Sequence, residues 1–157
     1  MLDSCTTAQE RWGGVHKLID RWLAERKQLI TAYSSLRSRS ASPAQPDSAL
    51  QAFCNVLVDY MSAGHFEVYE QLIREAEEFN DLGGLELAKQ LYPRLETITQ
   101  SAVQFNDQYS ESANIADEEL MQTQLQALGS LLHERFELED CLIEVLHTAH
   151  QDMLSTQ

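Results

Sequence analysis

Five histidines and a surplus of carboxylates give this chain the side chains that a metal site needs. His133 and Glu137 stand one helical turn apart as H-x-x-x-E, and His65 and Glu70 form H-x-x-x-x-E. Such pairs can ligate a metal in the core of a helical bundle when both side chains project inward. His133 and Glu137, however, share the polar side of their segment with Asp140, Glu144 and His147, which reads as a solvated acidic face. Cys5, Cys54 and Cys141 are an odd number in no metal-binding spacing, so reduced thiols are expected, with Cys54 in or near the core. No Gly-rich phosphate loop, nucleophile elbow or triad-like arrangement occurs. No catalytic residue, metal site or cofactor is therefore expected.

A second kind of chemistry comes from charges placed inside apolar stripes. Trp12, Val15, Ile19, Trp22, Leu29, Tyr33 and Leu36 step by three and four along a long amphipathic helix, and Arg26 stands where an apolar residue is due. Met121, Leu125, Leu128, Leu132, Phe136, Leu142, Leu146 and Ala149 form a similar side on the last helix, with Arg135 and Glu139 within it. A lone buried charge there would cost several kcal/mol, so Arg26 and Glu139 either pair, with each other or with Arg135, or extend out of the seam to water. Asp59 presents the same question in the middle of the chain. Leu50, Phe53, Leu57, Tyr60 and Met61 gather on one helical face as core, while Ala52, Val56, Asp59, Ala63 and Phe66 make a second stripe opposite, if the helix continues through Gly64. That second stripe is either core as well, in a helix covered all round, or a surface offered to a partner.

Four long helical segments position these residues, and the expected architecture is an all-α, up-and-down four-helix bundle. Gly13 and Gly14 weaken the start of the first. A Ser/Pro-rich linker at about 38–48 leads to the second, with Asp47 or Ser48 as its cap, and that helix runs from about Ala49 to Asn80 with a bend or break at Gly64. Asp81-Leu-Gly-Gly reads as a tight turn. Leu91, Leu95, Ile98, Ala102, Phe105 and Tyr109 define the third, in which Pro93 allows an extra short helix from about Leu85 to Leu91. A loop from Ser110 to Asp117 precedes the last.

The 157 residues, 43% apolar and low in Gly and Pro, suit one globular domain over 1–157. No apolar run reaches the roughly 18 residues of a membrane span, and the N-terminus lacks a signal-peptide pattern, so a cytoplasmic protein without membrane contact is expected. The net charge of −14 is uneven: seven Lys or Arg against four acids leave +3 in residues 1–40 and −17 beyond. Such a field repels nucleic acid and speeds encounter with basic proteins, or serves solubility alone.

Three blocks go beyond periodicity: DRWLAERKQLITAY (Asp20–Tyr33), FCNVLVDYMSAGHFEVYE (Phe53–Glu70) and RFELEDCLIEVLH (Arg135–His147). Together they resemble the Rsd/AlgQ family, named for a regulator of sigma D and an alginate regulator, the latter being the nearer likeness. The resemblance implies an all-helical bundle without catalysis, transcriptional regulation including that of alginate, and binding to region 4 of the primary sigma-70 factor. That region is a basic helix-turn-helix module that reads promoter −35 DNA and docks on core polymerase. On this reading Asp59 is the charged contact, Ala63 and Phe66 are its apolar neighbours, and Val56 and His65 complete the partner-binding set, with no direct contact to nucleic acid. The alternative from a different class is a hemerythrin-like metal-binding helical bundle, whose ligand set the two His–carboxylate pairs resemble in fragments and in reversed order.

Overall fold

The computed structural model describes residues 8–38, 48–110 and 118–150. They form α1 (Ala8–Ser38), α2 (Ser48–Ala63), a π turn (Gly64–Val68), α3 (Tyr69–Glu78), α4 (Leu82–Tyr109) and α5 (Glu118–Ile143), which a second π turn (Glu144–Thr148) prolongs. Because α2 and α3 are continuous through their π turn, the elements make four rods. Trp22 on Tyr60 and Tyr33 near Phe53 set α1 antiparallel to α2. Phe53 on Phe105 and His65 near Tyr92 do the same for the second rod and α4. Arg94 with Glu134 and Tyr109 with Gln124 orient α4 against α5, and Trp12 with His147 and Arg37 with Gln122 close the ring between α5 and α1. The expected up-and-down bundle is the fold, with no strand among the described residues.

Apolar spacing explains the rods. Leu50, Phe53, Cys54, Leu57, Tyr60 and Met61 are all buried on the inner side of α2, against Val15, Ile19, Trp22, Leu29 and Leu36 of α1 and Met121, Leu125, Leu128 and Leu132 of α5. Burial pushes the Cys54 thiol up to about 11. None of the helices among the described residues is long and apolar enough to cross a membrane.

Three local expectations need correction. Pro93 does not set off a short helix at Leu85–Leu91, because α4 runs through it without a break. The ring removes the donor that Lys89 would use, but Pro93 and Lys89 are both exposed, so water can take that carbonyl. The reversal before α4 is made by Phe79 and Asn80, not by the glycines: Asn80 takes φ 55°, a left-handed value asparagine tolerates. Asp81 instead caps α4, accepting from the Gly84 N–H at 2.9 Å. That bond, and next the one from His150, hold its carboxyl below the usual range. Gly84 is needed for space, since a Cβ there would lie 2.5 Å from Asp81 Oδ2 and 2.7 Å from Leu146 Cδ2. Finally, His147 is buried and Ala149 exposed, the reverse of the helical extrapolation. His147 lies inside the second π turn and Ala149 directly after it, and the wider winding of that turn rotates both relative to the helix before it. The linker's interior, residues 39–47 with Asp47, and the loop 111–117 lie outside the described residues.

The charges in the seam meet. Glu139 is fully buried and accepts four hydrogen bonds: Tyr60 Oη at 2.5 Å and Arg26 Nη2 at 3.3 Å on one oxygen, Tyr69 Oη at 2.5 Å and Arg135 Nε at 2.8 Å on the other. Arg26 Nε also donates to Tyr60 Oη at 3.0 Å, and its Nη1 reaches out to Asp140 at 2.6 Å. Arg135, fully buried, donates to Thr99 Oγ1 of α4. Burial, then Glu139, raises both tyrosines well above the ordinary phenol range, so they remain donors. Burial alone would lower Arg26 and Arg135, but their partners outweigh it: Tyr60, Asp140 and Glu139 for the first, Tyr69 and Glu139 for the second.

Removing the acceptor should therefore cost more than removing one donor. Glu139→Leu is expected to lower unfolding free energy by about 3–5 kcal/mol in denaturant titration, because it orphans a buried guanidinium and two hydroxyls. Adding Arg135→Leu should restore part of that loss; strictly additive losses would show that the pair is not coupled.

Candidate functional site: the outer face of α2

The outer side of α2 is held in place by what lies beneath it. Gly64, the first residue of the π turn, lies against the opposite side of the network: a Cβ there would sit 3.0 Å from Trp22 Cζ2 and 3.1 Å from Arg135 Nη2. A larger residue would require Trp22 or Arg135 to give by a few tenths of an ångström. Trp22 donates to the Tyr60 carbonyl at 3.2 Å and stacks on the Tyr60 ring, which ties the end of α2 to α1. The π turn comes next, with the Tyr69 N–H reaching back five residues to the Gly64 carbonyl.

On the outside, Asp59 and Phe66 are both exposed, and Phe66, at 70%, is in an unusual state for so large an apolar residue. Val56 and Ala63 are half-buried and pack on the core, forming the wall from which the other two project. His65 is half-buried and turned toward α4, its Nδ1 3.4 Å from Tyr92 Oη. The second stripe is thus a surface and not a second core face. It does not carry its residues in one line, because the π turn separates them. Phe66 leans toward α4, where it lines a hollow of about 220 Å³ with Val58, Ser62, Thr99 and Val103. Val58 and Val103 are also exposed, so the hollow has an apolar rim. Asp59 belongs to the other flank, beside Glu67 and, across on α1, Glu25.

That flank is acidic. Burial first, then Asp59 and Glu67, raise the Glu25 carboxyl above its ordinary value, and Arg21 acts in the opposite direction. Glu25 Oε2 is buried without a hydrogen-bond partner among the described residues. Three carboxylates crowded in this way would be relieved by a cation brought from outside. Glu25, Glu67, Val58 and Val103 do not stand out in the sequence, because each joins the face only through the packing of α1, α2 and α4. His65 also closes one end of a larger apolar groove of about 650 Å³ between α3 and α4, with Leu72, Ile73 and Leu85 along it.

The metal-ligand fragments are not brought together. His133 and Glu137 pair at 2.8 Å on the surface, with side chains 78% and 69% exposed, while Glu70 bonds Arg74 at 2.8 Å and leaves His65 to Tyr92. No group of three His, Cys, Asp or Glu among the described residues has the geometry to hold a metal ion, so a hemerythrin-like arrangement is not favoured.

Residues 1–147 match the family described as regulator of RNA polymerase sigma(70) subunit, Rsd/AlgQ. A "Regulator of sigma D" of Enterobacter sp. (strain 638) is 43% identical over 148 residues, covering 91% of this chain and 88% of its own. Proteins of the same name from Salmonella paratyphi A and Salmonella typhi are each 38% identical over 157 residues, covering 97% of this chain and 95% of theirs. With an all-helical bundle and a match over nearly its whole length, the chain belongs to the Rsd/AlgQ family of regulators of the RNA polymerase sigma(70) subunit.

Proposed function

We propose that this protein is an anti-sigma factor that binds region 4 of the primary sigma-70 factor through the outer face of α2. The observation that carries the reading is the composition of that face. An apolar hollow headed by exposed Phe66 lies beside the acidic flank of Asp59, Glu67 and Glu25. A basic helical module fits both halves, its apolar side chains in the hollow and its cations against the carboxylates. Asp59 supplies the charged contact and Phe66 the anchor, while Val56, Ala63 and His65 shape the surface around them. A module whose basic surface is occupied in this way can no longer present it to promoter −35 DNA or to core polymerase, and regulation follows from occlusion without catalysis. The chain's net charge of −14 argues against direct nucleic-acid contact, and on this reading the protein works beside polymerase in the cytoplasm.

Asp59→Ala and Phe66→Ala test the face. Both side chains are exposed in the free protein, so thermal stability should change little, by about 0.5 kcal/mol or less. Binding to sigma region 4 should weaken about tenfold or more for each, most for Phe66 as the desolvated anchor. Normal binding by both variants would place the partner elsewhere, and unfolding by Asp59→Ala would make Asp59 a structural group.

Salt tests the electrostatic half. Association with region 4 should slow steadily as the Debye length falls from about 10 Å at 0.1 M toward 3 Å at 1 M, with a smaller effect on dissociation. A flat association rate would remove steering.

A further inference from the structure

At the end of the bundle where α1 begins, a second charged cluster is buried, away from the α2 face. Glu75 of α3 is fully buried, and its partners among the described residues are histidines. Both of its oxygens lie 3.1 Å from His147 Nδ1, and Oε2 lies 3.6 Å from His150 Nδ1. His147 Nε2 is in turn 3.2 Å from Nδ1 of His16 on α1, whose side chain is half-exposed. Trp12 stacks on both imidazoles, 4.4 Å from His147 and 4.9 Å from His16, and its indole N–H donates to the His147 carbonyl at 2.9 Å. Among the described residues, the other charged groups in contact with the cluster are Asp20 of α1, 3.7 Å from His16 Nε2, and the α4 cap Asp81, 2.9 Å from His150 Nε2.

The hydrogens in this chain of contacts can be counted. To satisfy an ionised Glu75, His147 must carry a hydrogen on Nδ1. One hydrogen then serves the contact between His147 Nε2 and His16 Nδ1. A neutral His147 accepts it from His16, and a charged His147 donates it to a neutral His16. The pair thus accommodates one added proton, held at either end. With both rings charged, two N–H groups face each other across 3.2 Å and like charges meet at the edge of the buried His147.

We propose that His16, His147 and Glu75 form a proton-sensitive latch, which fixes the Trp12 turn of α1 on α3 and the second π turn and releases it when both imidazoles are charged. The open form, with the rings apart, binds one proton more than the closed form. The closed form is therefore favoured at higher pH and loses ground as pH falls. Imidazole is the side chain that ordinarily gains charge between about pH 8 and about pH 5, which sets the range to examine.

The experiment tracks the two indole N–H resonances of the full chain by NMR from about pH 8 to about pH 5. Trp22, bonded to the Tyr60 carbonyl in the core, is the internal reference. Solvent exchange of the Trp12 N–H should rise relative to that of Trp22 by about tenfold or more across the range, as a local opening requires. In His16→Asn, whose amide can donate or accept but never charges, the ratio should stay flat. A flat ratio in the unmodified protein overturns the latch, and so does an equal rise in His16→Asn.

Discussion

One buried carboxylate governs how the rods of this bundle sit against one another. Glu139 takes hydrogen bonds from Arg26 of α1, Tyr60 of α2, Tyr69 of α3 and Arg135 of its own helix, and Arg135 carries the connection on to Thr99 of α4. Desolvating that charge is expensive, and it is offset only when all four donors arrive together. A bundle slipped by one helical turn could keep most of its leucines covered but would strand Glu139 or a guanidinium. The network thus selects register more than it adds stability. Through Arg135, which packs with Trp22 against Gly64, it also touches the first residue of the π turn that carries Phe66.

This dependence explains which features were legible from the residues alone. Arg26 and Glu139 announced themselves because each broke an apolar stripe, and a charge in that position calls for a partner. The inner face of α2 was equally readable, since ordinary helical steps carry Leu50 to Met61. The π turns were not. A wider turn leaves no compositional mark, yet it rotates every later side chain, and so His147 and Ala149 exchanged sides and Phe66 parted from Asp59. Gly64 was a sign of irregularity, but a bend, a break and a π turn all begin with the same glycine. Pro93 misled for a related reason, since whether a proline interrupts a helix depends on whether water can reach the carbonyl it abandons. Glu75 carried no signal at all, because its histidine partners come from the far end of the chain.

In the proposed function the α2 face would contribute rigidity as well as chemistry. Asp59 stands on α2, and Phe66 and Glu67 on the π turn whose first residue packs on Trp22 and Arg135, so the proposed docking would have little further order to impose. The crowding around Glu25 works in the same direction. Repulsion already present in the free protein is relieved by an incoming cation, which favours a basic partner over a neutral one of equal shape.

The two described thiols differ in a way that makes the closed bundle measurable. Cys54 is buried beside Phe53 and Leu57, and with its thiol pushed up to about 11 only about one part in ten thousand is thiolate at neutral pH. Cys141 is exposed on α5, between Glu137 and Glu144. An alkylating reagent meets Cys141 at once and Cys54 only during an excursion that breaches the core. The slow modification of Cys54 is then a clock for that excursion, read at a side chain the protein already carries.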